Sequence, residues 1–108
     1  GRPSRRVRHF PISPRVDTRP DERGAFYVLS IVASDRPGLL YGVARILASN
    51  RISLQTARIN TLGDRAEDVF LISGETLSDS RSVLQLEQGL LEELTLPEAA
   101  PALETTLR

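Results

Sequence analysis

Phe26-Tyr27-Val28-Leu29-Ser30-Ile31-Val32-Ala33-Ser34-Asp35-Arg36-Pro37-Gly38-Leu39-Leu40 is the stretch on which the fold turns. Residues 26–33 are apolar on both faces apart from Ser30, which predicts a central strand with a layer on each side. Leu39, Leu40, Val43, Ile46 and Leu47 then recur at three and four, predicting a helix over 39–48 with one apolar stripe. The turn between them has helix-start chemistry. Asp35 is placed to cap the helix by accepting the Gly38 N–H. Pro37 suits a first turn, where its missing donor has no partner to lose. Gly38 lets another molecule approach the backbone, and the free amides of a helix start favour a carboxylate. At this point two readings stand together: a well-made helix start, or a main-chain site for a small amino acid.

Outward from this stretch, Phe10, Ile12 and Val16 alternate, predicting a strand over 7–17 that Pro11 and Pro14 confine to a sheet edge. Residues 18–24 read as a polar turn. Downstream, Ile52 and Leu54 share one strand face while Ala57 and Ile59 share the other, a phase slip that predicts a bulge near Gln55-Thr56. Gly63-Asp64 marks a tight hairpin turn, and Val69–Ile72 a further strand. Residues 74–80 read as a loop. Val83, Leu86, Leu90 and Leu94 line a second helix, in which Gly89 is read as the mark of a close helix contact. Residues 1–6 form a lead, 7–95 one domain, and 96–108, broken by Pro97 and Pro101, a tail. Two helices cover one face of a four-stranded sheet, so the other face calls for a second copy and a homodimer is expected.

Composition narrows the function. The 108 residues support one small domain, and there is no Cys for a disulfide, a thiolate metal site or a nucleophile. Net charge is zero, against a general nucleic-acid binder. Residues 1–23 are basic and 24–108 acidic, so the basic arm is expected to lie on the acidic body as an interdomain linker. No apolar run approaches the roughly 20 residues of a membrane span, and the start lacks a signal-peptide core. Gly1 in place of Met suggests a piece of a longer chain, and the absence of Cys is compatible with a cytoplasmic origin. His9 stands alone, without metal-ligand partners. Asp64-Arg65-Ala66-Glu67-Asp68 reads as a solvated hairpin tip, and Glu92-Glu93 as solvated and without function. An RNA-binding sheet would need aromatics where 66–73 offers only Phe70. An acyl-phosphate hydrolase would need an anion loop richer in glycine than Asp35-Arg36-Pro37-Gly38.

Asp35-Arg36-Pro37-Gly38-Leu39-Leu40, together with the hairpin Ala57-Arg58-Ile59-Asn60-Thr61-Leu62-Gly63-Asp64-Arg65-Ala66-Glu67-Asp68-Val69-Phe70, resembles ACT domains over about residues 7–94. The hairpin is most similar to the last ACT domain of the bifunctional enzymes that add uridylyl groups to the PII nitrogen-signalling protein and remove them. The resemblance implies an α+β, ferredoxin-like fold with both helices on one face of a four-stranded antiparallel sheet. The usual order is βαββαβ. Nothing after Leu94 reads as a strand, so the 7–17 strand takes the vacant slot and the order becomes a permuted ββαββα.

The resemblance further implies a regulatory, non-catalytic domain that senses glutamine, with no cofactor of its own; Mg would belong to the full-length enzyme. Asp35, Arg36, Pro37, Gly38, Leu39 and Leu40 would form the ligand-facing turn, with the Gly38 and Leu39 amides holding the ligand. Ala57, Ile59 and Asn60 of a second copy or a neighbouring ACT domain would close the pocket. PII would be reached through the full-length enzyme, with no nucleic acid or membrane as partner. The alternative reading is a ligand-free dimerisation module.

Overall fold

A computed structural model describes residues 12–95. The elements run β1 (Arg15–Pro20), β2 (Tyr27–Ser34), α1 (Leu39–Ser49), β3 (Ser53–Arg58), β4 (Thr61–Leu62), β5 (Arg65–Ser73), a short 3₁₀ turn (Glu75–Ser78) and α2 (Ser80–Leu94). The sheet is antiparallel with order β1-β2-β5-β3, and β4 also pairs with β5. This is the permuted ββαββα arrangement, with β1 at the edge beside β2. The hairpin arm is divided into β3 and β4, which gives five strands instead of four. The 1–6 lead, residues 7–11 of the expected 7–17 strand and the 96–108 tail lie outside the described residues.

The first strand begins later than its alternation suggests. It starts at Arg15, after Pro14, and runs through Thr18 and Arg19 to Pro20. The polar turn therefore shrinks to the residues after Pro20. There Asp21 Oδ1 accepts the Arg23 and Gly24 amides at 2.7 and 3.0 Å, an Asx turn that fixes the hairpin. Pro20, the last strand residue, is tolerated because β1 is an edge.

One face of the sheet carries the core. Leu29, Ile31 and Ala33 of β2 lie opposite Phe70, Asp68 and Ala66 of β5, and these pack with Leu39, Val43 and Leu47 of α1 and Leu86, Leu90 and Leu94 of α2. The opposite face, with Val28, Ser30, Val32 and Leu71, is only half-buried and has no second layer among the described residues. In β3 the register shifts between Leu54 and Thr56, at the expected bulge. The shift places Leu54, opposite Ile72, and Ala57, opposite Phe70, on the same helix-facing side, so the slip in the sequence pattern is absorbed. Gly63, with φ 64°, opens the two-residue loop joining Leu62 to Arg65, the position that favours glycine in a type II′ turn.

Helix α1 ends in a Schellman arrangement: the Ile52 N–H reaches the Leu47 carbonyl and the Arg51 N–H the Ala48 carbonyl, both at 2.9 Å. Arg51 holds the left-handed position (φ 60°) that glycine usually takes. Helix α2 starts three residues before its apolar stripe, at Ser80, because Asp79 Oδ2 accepts the Ser82 N–H at 3.1 Å and the Ser82 O–H at 2.8 Å. The expected close contact at Gly89 is absent, since a Cβ there would meet nothing within 4 Å. The close approach is at Gly42 of α1, where a Cβ would collide with the Glu93 side chain of α2.

Candidate functional site

The β2–α1 corner is the site the sequence singles out, and its geometry differs from a side-chain-capped helix start. Gly38 is the N-cap residue, in the left-handed conformation (φ 83°, ψ −1°), and no side chain caps the helix. The Asp35 carboxylate does not take the Gly38 amide. Asp35 instead donates its own N–H to the Asp64 carbonyl at 2.8 Å, which ties the turn to the tip of the β4–β5 hairpin. Leu39 N–H bonds the Arg36 carbonyl at 3.2 Å and Gly42 N–H the Gly38 carbonyl at 2.9 Å. Helix geometry leaves the Gly38, Leu40 and Tyr41 amides without intrahelical acceptors. Open space surrounds the Cα of Gly38 where a side chain would project, so the backbone is accessible. Pro37 and Gly38 are exposed and Leu39 is buried in the core.

Arg36 is committed elsewhere. Its Nη2 donates to the Glu93 carbonyl at 2.7 Å and lies 3.8 Å from the Glu93 carboxylate, with both side chains largely buried. Glu93 also pairs with Arg45 at 3.0 Å. The expectation that Glu93 is solvated is thus overturned: its side chain is 11% exposed and bridges two arginines across the helix pair. The sequence holds only a weak sign of this, an acidic residue on the same helix stripe as Leu86 and Leu90.

Next to the turn, an apolar groove of about 180 Å³ opens between α1 and β3. Leu40, Val43, Leu47, Leu54, Ala57, Ile59 and Phe70 line it. Leu40, Ala57 and Ile59 therefore meet within one chain. Asn60 does not line this groove. It is exposed, and its backbone is the hinge of the divided hairpin arm: its N–H bonds Asp68 Oδ1 at 3.1 Å and its carbonyl accepts the Glu67 N–H at 2.8 Å.

Asp68 is the residue that pattern reading missed. It is 2% exposed, on the core side of β5 opposite Ile31, not on a solvated tip. Burial raises its pKa, the Asn60 N–H lowers it, and the nearby Asp35 charge raises it again. The available signal was its even spacing from Ala66, Phe70 and Ile72. Among the described residues no group of three or more His, Cys, Asp or Glu is gathered as for a metal ion. No helix there is long and apolar enough to cross a membrane.

The ACT domain family matches residues 27–88, from the start of β2 through most of α2 and including the whole corner just described. The chain belongs to the ACT domain family. The most similar relatives include proteins named bifunctional uridylyltransferase/uridylyl-removing enzyme. That of Cupriavidus metallidurans is 60% identical over 97 residues, that of Burkholderia orbicola 58% over 96, and that of Ralstonia nicotianae 60% over 97. Each alignment covers 89% of this chain, yet this ACT domain spans only 11% of the length of those relatives. No solved structure matches the chain significantly.

Proposed function

We propose that this ACT domain is the glutamine-sensing, regulatory part of a cytoplasmic uridylyltransferase/uridylyl-removing enzyme that acts on the PII protein, and that it carries no chemistry itself. The observation that carries the reading is the corner itself. A left-handed Gly38 bares the first-turn amides of α1 beside an apolar groove, within a chain close in sequence to those enzymes. A free amino acid suits this combination. Its carboxylate or side-chain carbonyl would accept from the Gly38 and Leu40 amides, since the Leu39 N–H is held by the Arg36 carbonyl, and its methylenes would lie toward Leu40, Ala57 and Ile59. Asp35 and Pro37 would flank it, with Arg36 holding the turn and Asn60 on the rim.

The outer edge of β3 is unpaired among the described residues, and all residues of the strand are exposed. A second copy, or a neighbouring ACT domain of the full-length protein, would cover that edge and enclose the groove. Glutamine that bound the enclosed arrangement more tightly would shift the catalytic domains by that difference in affinity. Mg, where the full-length enzyme uses it, would belong to those catalytic domains.

Isothermal titration with glutamine, with glutamate and asparagine as controls, tests the reading. Saturable, glutamine-selective heat is expected, and its absence in an associated sample leaves a structural dimerisation module. Gly38→Val is expected to abolish the heat. At φ 83° a β-branched residue is also strained, by about 1–3 kcal/mol, so its melting temperature must be measured alongside. Gly38→Ala, with less strain and less bulk, should bind at least tenfold more weakly, as expected if about 1.4 kcal/mol of contact is lost.

A further inference from the structure

The turn that begins α1 also ends α2. The last four carbonyls of a helix lack intrahelical donors, and a cation at that end meets the negative pole of the helix. Arg36 meets both needs from 57 residues away, donating to the Glu93 carbonyl at 2.7 Å. The Glu93 carboxylate returns toward Arg36 at 3.8 Å and lies over Gly42, where only a residue without a Cβ leaves room. Arg36 and Glu93 are both largely buried, unlike Arg45, which is 54% exposed and adds little. The same Arg36 offers its own carbonyl to the Leu39 N–H. One residue thus shapes the amide-bearing turn and caps the opposite helix.

We propose that Arg36 is a positioning residue, latching the 35–38 turn to the last turn of α2 through Glu93, so that occupation of the turn is transmitted to the C-terminal end of α2. A ligand anion at the Gly38 and Leu40 amides would hold the 35–38 turn in place and, through it, tighten the Arg36 hold on Glu93. This transmission rests on the glutamine reading above; the latch itself does not.

Amide hydrogen exchange on the protein separates the two. Without ligand, Arg36→Gln should speed exchange of Leu39 and Gly42 at one end and Thr95 at the other, together and by about tenfold, as for loss of a charged hydrogen bond. The β2 and β5 amides should not change. Gly42→Ala, which displaces the Glu93 side chain while improving helix propensity, should also speed Thr95. Uniform acceleration including β2 and β5, or no change at Thr95 in either variant, overturns the latch. With glutamine, the wild-type protein should slow at Leu39, Gly42 and Thr95, and Arg36→Gln at Leu39 and Gly42 only. Slowing at Leu39 and Gly42 in the wild type with Thr95 unmoved overturns transmission. If calorimetry shows no glutamine binding, the sensing reading and the transmission fail together, and the ligand-free exchange alone decides the latch.

Discussion

At one edge of the sheet β1 turns Val16 and Thr18 inward, where α2 packs, and presents Arg15, Asp17 and Arg19 outward. At the other edge every residue of β3 is exposed, including Leu54, and Ile59 and Leu62 beyond it remain uncovered. Edge strands are commonly protected by charge or by a covering element. The β1 edge has both, whereas β3 has Arg58 and an apolar groove. Exposed apolar side chains gathered at a pairing-competent edge are what the proposed second copy or neighbouring domain would cover. The incomplete edge is also the one beside the amide-bearing turn, so closure of the edge and occupation of the turn concern the same few residues.

Core truncation should show the largest contrast. Leu90, wholly buried under the closed side, should lose about 2–5 kcal/mol on Leu90→Ala. Leu54 is 46% exposed, and Leu54→Ala should cost the monomer less than about 1 kcal/mol in urea unfolding. Equal losses would break the comparison. Leu54→Asp sharpens it: sedimentation should show weakened self-association with the melting temperature little changed.

Asp68 anchors the break in the open arm through the Asn60 amide. Its pKa is raised above the ordinary 3.8, chiefly by burial. The folded chain therefore holds this proton more tightly than the unfolded chain does. The associated stability is complete below the unfolded value and is lost as pH rises through the folded one. Asp68→Asn retains an acceptor for Asn60 and removes the charge. It should be more stable than the wild type at neutral pH, with the gain fading as pH falls through the raised folded value toward 3.8. A gain independent of pH would remove the burial explanation.

The smallest effect belongs to the closed edge. Among the described residues Thr18 Oγ1 is buried without a hydrogen-bond partner. Thr18→Val removes that orphan and should stabilise by about 0.5–1 kcal/mol in thermal unfolding. A loss would mean that the β1 edge is less dry than its packing implies.

Local pattern carried much of the architecture. The order of elements, the bulge after Leu54, the Gly63-Asp64 turn and the edge position of β1 all follow from periodicity and turn chemistry, which act over a few residues. The site was readable only in outline. The Asp35-to-Leu40 turn is present, but Ala57 and Ile59 meet Leu40 within the same chain and not from a second copy, Asp35 does not cap α1, and Arg36 faces Glu93. The start of β1 shifted because its inward positions, Val16 and Thr18, are chosen by their partners Ile31 and Leu29. The apolar Phe10 and Ile12 could not reveal that choice.

By itself the sequence determined which segments become strands and helices and where a bare-backbone turn falls, because those preferences are set by neighbours along the chain. Only the tertiary structure decided that Asp68 is buried, that Gly42 rather than Gly89 makes room for the other helix, and that Arg36 closes α2. Each depends on groups far apart in the chain that packing brings together, and no local preference encodes such a meeting.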